Sequence, residues 1–226
     1  MVDGRGKLGG TVMSKSKQGA TARVKVVPVN PRSAVQQLRR AVFTGLSQGW
    51  RLLTEAQISA WNAAAKSGFR ITNIFGAQVG QSGNDLYIGL NSNLVLVGAS
   101  VISDPPSQAD SPAVLSKFEP SADVSSSELF LEATMAGVVT VPADNVLVVY
   151  ATPKLSNGVS FVKSQLRVFM TFGAGANTST NNVYADYTAK YGALAVGDNV
   201  YFSAQMVNNV SGISGTPIKS RVVITA

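Results

Sequence analysis

The ionisable and nucleophilic side chains of this sequence limit the chemistry that it could perform. The chain contains no cysteine and no histidine, which removes thiolate nucleophiles, the commonest general base and the commonest metal ligand. Acid–base or metal chemistry would fall to the carboxylates beyond residue 70. These are Asp85, Asp104, Asp110, Glu119, Asp123, Glu128, Glu132, Asp144, Asp186 and Asp198. None of them stands in a recognisable motif.

Two glutamates and one serine are the best candidates for catalysis. Glu128 and Glu132 lie four residues apart in a β-rich run, where strand alternation places both on one surface of a sheet. A solvated sheet surface explains this spacing more simply than a catalytic carboxylate pair. A serine nucleophile without histidine needs a placed lysine, and Lys163-Ser164 is an isolated dipeptide. We therefore predict a protein that is not an enzyme and uses no metal or cofactor.

Positive charge is concentrated in the first third of the chain. Residues 1–70 hold 12 Lys or Arg against 2 Asp or Glu, a net charge of +10, whereas residues 71–226 hold 7 against 10, a net charge of −3. This asymmetry predicts that the N-terminal part meets a polyanion or an acidic neighbouring subunit. The expected interface residues are Arg5, Lys7, Lys15, Lys17, Arg23, Lys25, Arg32, Arg39 and Arg40.

Residues 1–29 are interpreted as a basic extended arm or hairpin. Residues 11–13 and 22–27 are short extended runs, and residues 15–19 are typical of the turn between them. Because a lone hairpin is marginally stable in water, we expect the arm to lie on a neighbouring copy or on nucleic acid. A solvated, disordered tail is the alternative.

Two helices are predicted over residues 30–69. Asn30 and Pro31 are typical of a helix start, and Gly49 of its end. The first helix carries an apolar stripe made of Ala34, Leu38, Ala41, Val42 and Leu46.

The second helix is predicted from its capping residues. Thr54 and Gln57 have the spacing of a capping box, and Gly68 marks the end of the helix. Trp50 and Trp61, the only two tryptophans, are expected to pack this helix pair together.

The remaining pattern predicts an α+β protein. Residues 71–82 read as a loop, and residues 86–97 favour a third helix over a strand, which completes a small helical unit at 30–103. A proline-rich linker at 104–112 then precedes an antiparallel β-sandwich at 113–226. Its predicted strands are 113–118, 129–134, 146–152, 165–172, 183–191, 199–206 and 219–225.

One stretch of the β-rich part resembles a known domain family. Residues 194–208 (LAVGDNVYFSAQMVN) resemble the penultimate strand of fibronectin type III-like domains, in which a leucine and a small turn precede an alternating strand and an exposed loop. Val200 stands where that family usually has its corner tyrosine, and Tyr201 is predicted to point the other way. The resemblance implies a fibronectin III/immunoglobulin-like sandwich.

The N-terminal half resembles a group of uncharacterised proteins from phages and prophages of gut Bacteroidota. The resemblance rests on GRGKLGG, ARVKVVPVNPRSAVQQLRRAV and LTEAQISAWNAAA. In that group a basic arm and helix pair precede an immunoglobulin-like domain. The resemblance implies a virion structural protein, assembled in the host cytoplasm, whose partners are further copies of itself and other virion proteins.

Within a particle, a ring or connector component at the head–tail vertex, or a tail component, is favoured. The charged fraction of only 14% also favours subunit contacts over a fully hydrated surface. The alternatives are a capsid-attached decoration protein and a module that binds glycans or a host protein through loops 156–160, 173–182 and 208–216. Non-specific contact between the arm and nucleic acid stays open. The chain shows no run of membrane-spanning length and no secretion signal, which predicts a soluble protein with no membrane contact.

Overall fold

The structure is a computed structural model that describes residues 5–16, 19–27, 30, 32–69, 71–72, 78–135, 137–156, 158–179 and 181–225. Of residues 15, 16, 19, 20, 71 and 72 it describes the backbone alone. The chain contains both helices and antiparallel sheets, which confirms the predicted α+β class. It divides into two compact units, Met1–Arg40 and Ala41–Ala226. The predicted domain boundaries stay predictions.

The first unit begins with a three-stranded antiparallel sheet in the order β1-β2-β3. Its strands are β1 (Gly6–Leu8), β2 (Thr11–Ser16) and β3 (Gly19–Val24). The predicted hairpin corresponds to β2 and β3, whereas the glycine-rich sequence of β1 carries no strand pattern. Gly9 has the left-handed φ of 56° that suits the two-residue turn between β1 and β2. The predicted turn at residues 15–19 lies partly outside the described residues.

Helix α1 (Ala34–Leu52) begins later than the predicted start at Asn30. The Oδ1 atom of Asn30 instead accepts a hydrogen bond from Arg40 Nη2 at 2.9 Å. Ser33 takes the capping role, because its Oγ accepts from the backbone N–H three residues later at 3.4 Å. Pro31, the other residue of the predicted start, lies outside the described residues.

Two further helices follow in the second unit. The capping box of Thr54 and Gln57 is confirmed at the start of α2 (Glu55–Ser67), and Gly68 is its C-cap. The third predicted helix is confirmed as α3 (Gly83–Leu96). The three helices share a core made of Leu46, Trp61, Ala65, Leu86, Tyr87 and Leu90.

The predicted end of the first helix at Gly49 is wrong. Helix α1 continues to Leu52, and a Cβ at position 49 would lie only 2.9 Å from the hydroxyl oxygen of Tyr87. Glycine therefore serves a close approach between α1 and α3 at this point, and not a helix end.

Two stretches predicted as irregular contain short elements. Within residues 71–82, strand β4 (Ile71–Thr72) pairs with β5 (Gln78–Val79). Within the predicted linker 104–112, Gln108–Asp110 forms one turn of 3-10 helix.

The β-rich part of the second unit consists of two antiparallel sheets and a helix. Its elements are β6 (Leu115–Asp123), β7 (Glu128–Met135), β8 (Asn145–Ala151), β9 (Arg167–Phe172), α4 (Tyr184–Tyr191), β10 (Asn199–Asn208) and β11 (Ile218–Val223). One sheet has the order β11-β10-β8-β9, and β6 and β7 form the other. Alternate side chains of both sheets enter one core, which includes the fully buried Leu131, Met135, Leu147 and Met206. The fold here is sandwich-like.

One of the seven predicted strands is wrong, because residues 183–191 contain the helix α4. The tyrosine-rich composition favours a strand. However, Tyr184, Tyr187 and Tyr191 recur at three- and four-residue steps, which places them on one helical face. Tyr187 is fully buried, and its hydroxyl donates to the Thr152 carbonyl oxygen at 2.8 Å. Burial of this face therefore favours a helix over a strand for these residues.

Helix α3 packs on the outer surface of the four-stranded sheet. The Nδ2 atom of Asn93 donates to the Gly212 carbonyl oxygen at 2.8 Å. Gly212 has a φ of 72°, and a Cβ there would collide with the carbonyl oxygen of Leu90. The end of α3 contributes Leu96 to a second apolar cluster, which is built on Val148 and its neighbours. Helices and sheets of residues 41–226 are thus joined by direct packing.

Candidate interaction surface

The register of the N-terminal sheet divides its side chains between two faces. Lys7 is opposite Val12, which is opposite Arg23, so these three residues form one row across the sheet. The adjacent row, Leu8, Thr11 and Val24, points to the other face because side chains alternate along a strand. The sheet therefore has one cationic face and one apolar face.

The cationic face gathers part of the predicted set of basic residues. Lys7 and Arg23 are exposed in their shared row, and Lys25 continues the same face two residues beyond Arg23, where its backbone N–H donates to the Gly10 carbonyl oxygen at 2.7 Å. Arg5, exposed just before β1, is two residues from Lys7 and so falls in the same alternation. An open basin of about 820 Å³ draws on both faces and is lined by Lys7, Val12, Arg23, Val24, Lys25, Val26 and Val27.

The apolar face lacks a covering layer among the described residues. Leu8 is 70% exposed, Val24 is 76% exposed, and Val26, two residues beyond Val24, is 77% exposed. Met13, in the next row, is also exposed. These exposures leave the apolar face of the described sheet open to solvent, so its hydrophobic side chains add little to the stability of the sheet.

The other predicted basic residues are not in this row. Arg32 has a φ of 46°, and its carbonyl oxygen accepts a hydrogen bond from Gln37 Nε2 at 3.1 Å. Arg39 and Arg40 are exposed on α1. Lys15 has only its backbone described, and Lys17 lies outside the described residues. Residues 5–40 contain no Asp or Glu, so this stretch cannot neutralise its own cations.

The apolar stripe predicted along α1 is buried only towards its C-terminal end. Leu46 is buried and Val42 packs partly against the same cluster. Leu38 is 64% exposed, and the neighbouring Val35 is exposed as well. The first turns of α1 thus add exposed apolar side chains to those of the sheet.

Both tryptophans contact Tyr87 of α3, a residue that sequence reasoning missed. The ring centroid of Tyr87 lies 5.5 Å from that of Trp50 and 5.4 Å from that of Trp61. Trp61 is fully buried, and its Nε1 donates to the Ser103 carbonyl oxygen at 2.8 Å. Burial raises the pKa of Tyr87. The sequence gives one signal that Tyr87 belongs to the helical core, which is its position directly after the apolar Leu86.

The three loops of the glycan-binding hypothesis are tied to other parts of the second unit by hydrogen bonds. In the first loop, the Val159 carbonyl oxygen accepts from the Tyr201 hydroxyl at 2.7 Å. Thr178 Oγ1 is buried 2.8 Å from the Ala133 carbonyl oxygen, and Ser211 Oγ donates to the Asp110 carbonyl oxygen at 2.9 Å. Phe161, at the margin of the first loop, is largely exposed. The loops therefore contribute to packing of the second unit.

Among the residues that the structure describes, no group of three carboxylates is arranged to hold a metal ion. In the same part of the chain, each helix falls short of the length or apolarity needed to cross a bilayer. No protein-family model, curated protein or solved structure matches the chain. Inference about function therefore rests on the surfaces described above.

Proposed function

We propose that this chain is a non-enzymatic structural subunit of a phage virion, assembled in many copies through its N-terminal arm. The observation that carries the proposal is the uncovered apolar face of β1–β3, on which Leu8 and Val24 are mostly exposed. Burying a leucine or valine side chain fully contributes about 1.5–3 kcal/mol. A covering molecule would therefore stabilise a sheet that has no core of its own.

A neighbouring copy is the covering molecule that the charges favour. The arm, residues 1–29, carries six Lys or Arg against one Asp, whereas residues 71–226 have a net charge of −3. Copies that attract one another through these oppositely charged parts of the chain form repeated contacts, which suits a ring or another multi-copy assembly. The virion setting, with a preference for a ring at the head–tail vertex or a tail component over a decoration protein, rests on the resemblance of the N-terminal half.

We also propose that the β-rich part is a modified fibronectin III/immunoglobulin-like sandwich. Naming β6 to β11 as strands A, B, C, C′, F and G makes the four-stranded sheet G-F-C-C′, the order found in that architecture. The segment before α4 takes the place of strand E, because the Val183 backbone N–H donates to the Leu129 carbonyl oxygen at 2.8 Å. Val200 in place of the corner tyrosine is a departure from the family.

Sedimentation velocity over a range of concentrations tests the assembly proposal. We expect the full chain to sediment as a multiple of 23.6 kDa and the double variant Leu8→Ser/Val24→Ser to shift towards the monomer. The matched control is Val196→Ser/Val210→Ser, which removes two comparably exposed apolar side chains from the second unit. A wild-type monomer at every concentration, or equal losses in both variants, would contradict the proposal.

A second candidate function, favoured by the cationic face, is non-specific contact with nucleic acid. Lys7, Arg23 and Lys25 lie along one face of a sheet, where they could follow a phosphate backbone. Such binding weakens steeply with salt. In a plot of the logarithm of the binding constant against the logarithm of the salt concentration, each phosphate contacted on a duplex contributes about −0.9 to the slope. We expect Lys7→Gln/Arg23→Gln to reduce the slope for a DNA duplex, and a slope near zero for the wild type would remove this function.

A further inference from the structure

A basic pocket lies on the outer surface of the four-stranded sheet, in the second unit. It has a volume of about 370 Å³ and is lined by Ser160, Phe161, Val162, Lys163, Tyr201, Lys219, Ser220 and Arg221. Phe161 is 77% exposed, and Lys163, Lys219 and Arg221 are exposed too. None of these three cations forms an ion pair with another described residue, unlike Lys117, which pairs with Glu119, and Lys154, which pairs with Asp198.

Hydrogen bonds hold this pocket in shape. The buried Asn199 accepts at its Oδ1 from Arg221 Nε at 2.9 Å and from Arg221 Nη2 at 2.6 Å. These bonds orient the guanidinium and leave Nη1 for an outside acceptor. The Tyr201 hydroxyl donates to the Val159 carbonyl oxygen at 2.7 Å, which fixes the segment that carries Phe161 on the sheet. An anion meeting the pocket would find the Arg221 guanidinium already oriented, which lowers the entropy cost of binding.

The opposite surface of the same unit is acidic. On the outer face of β6 and β7, Glu119 is directly opposite Glu132, and Asp123 is directly opposite Glu128. Like charges directly opposite each other destabilise a strand pair. Lys117, whose Nζ lies 2.6 Å from Glu119 Oε2, compensates one of the four carboxylates. The acidic face is therefore left with uncompensated negative charge.

The two surfaces face away from each other. Val222 enters the core between the sheets, so its strand neighbours Lys219 and Arg221 point outward from the four-stranded sheet. On the other sheet Leu131 is fully buried, so the adjacent Glu132 points outward in the opposite direction. Contact between two such surfaces of identical copies is heterologous, because each copy presents its basic pocket to one neighbour and its acidic face to another. Contacts of this kind generate rings or filaments.

We infer that the basic pocket formed by Phe161, Lys163, Lys219 and Arg221 receives the acidic outer face of β6 and β7 from a second copy. This inference rests on the proposed function and adds a second, head-to-tail contact to the one made by the arm. The charges match, since three cations meet four carboxylates of which one is already paired within its own copy. Each surface also carries one phenylalanine, Phe161 on the basic side and Phe130 on the acidic side.

Charge reversal tests this contact in the full-length chain. The variant Lys163→Glu/Lys219→Glu makes both surfaces acidic, and Glu119→Lys/Glu132→Lys makes both basic. We expect each variant alone to raise the apparent dissociation constant of the assembly at least tenfold, measured by sedimentation velocity. An equimolar mixture should restore wild-type assembly, because each reversed surface then meets a complementary one. The matched control Lys163→Arg/Lys219→Arg keeps the charge and should assemble as the wild type does.

The outcomes separate this inference from the proposal on which it rests. Wild-type assembly in both reversal variants would overturn the head-to-tail contact and leave the arm-mediated assembly standing. Failure of the mixture to regain assembly, with both variants folded by circular dichroism, would also overturn it. A wild-type chain that stays monomeric at every concentration would overturn the inference and the proposed function together.

Discussion

The second unit buries a set of leucine and valine side chains in a core, whereas the first unit leaves its strand leucine and valine side chains exposed. In the second unit, Leu131 and Val148 are fully buried between or against sheets. In the first unit, Leu8 and Val24 occupy edge strands whose residues are all paired with β2, and they are 70% and 76% exposed. None of the described side chains in residues 1–40 is buried. Strand pairing in the first unit is therefore not accompanied by a buried core, and under the proposed function a partner would bury its apolar face.

A leucine substitution in each unit gives the largest expected contrast. Leu131→Ala in β7 should lower the free energy of unfolding by about 2–5 kcal/mol, because it leaves a cavity in the core. Leu8→Ala in β1 should change it by less than about 0.5 kcal/mol. Urea denaturation followed by tryptophan fluorescence, at a concentration below assembly, measures both values. Similar losses at the two positions would mean that Leu8 is buried in the isolated chain.

A pair of glycine substitutions sharpens the comparison within the second unit. Gly212→Ala should destabilise the chain by about 1–3 kcal/mol, because position 212 has a φ of 72° and a Cβ there collides with the Leu90 carbonyl oxygen. Gly45→Ala is the control, since a Cβ at that helical position meets no atom within 4 Å and alanine favours a helix by about 0.8–1.0 kcal/mol. Thermal unfolding of both variants tests the packing of α3 on the sheet. Equal stability of the two variants would contradict that packing.

The buried tyrosine of α4 gives a smaller effect that depends on pH. Tyr187→Phe removes the hydrogen bond to Thr152 and should lower the free energy of unfolding by about 0.5–1.5 kcal/mol at neutral pH. Burial is the main cause that raises the pKa of Tyr187 well above its ordinary value of 10.0. The folded state therefore keeps a proton that the unfolded state loses at about pH 10.

Stability from the neutral Tyr187 is present in full below pH 10.0, the ordinary pKa of the group, and declines as pH rises beyond it. The wild type should consequently lose stability more steeply than Tyr187→Phe between about pH 9.5 and 11. Equal slopes in urea denaturation over this range would show that Tyr187 is not the group responsible.

Local signals were readable from the sequence where a few neighbouring residues decide the structure. The capping box of Thr54 and Gln57 is such a signal, and it marks the start of α2 correctly. Gly49 gives the wrong helix end because its reason lies in Tyr87, a residue distant in sequence. Residues 183–191 are predicted as a strand because tyrosine favours strands, but the burial of Tyr187 on one helical face overrides that preference.

The candidate surface was likewise predictable from the sequence only in part: composition indicates its basic residues, but strand register determines which residues share a face. The basic residues of the arm are evident from composition, but their separation from Leu8 and Val24 depends on β1, which has no strand pattern of its own. The pocket around Phe161 and Arg221 joins residues 60 positions apart in the sequence. Sequence patterns cannot bring such residues together without the pairing of the strands between them.

Hydrogen exchange of the amides of β1–β3, measured against protein concentration, tests the central claim most directly. If the arm rests on another copy, the amides of residues 11–16 and 19–24 should exchange quickly in dilute solution and become protected as the sedimenting mass rises above 23.6 kDa. Protection that is already complete in a dilute monomer, or that never develops in the assembled protein, would contradict the account.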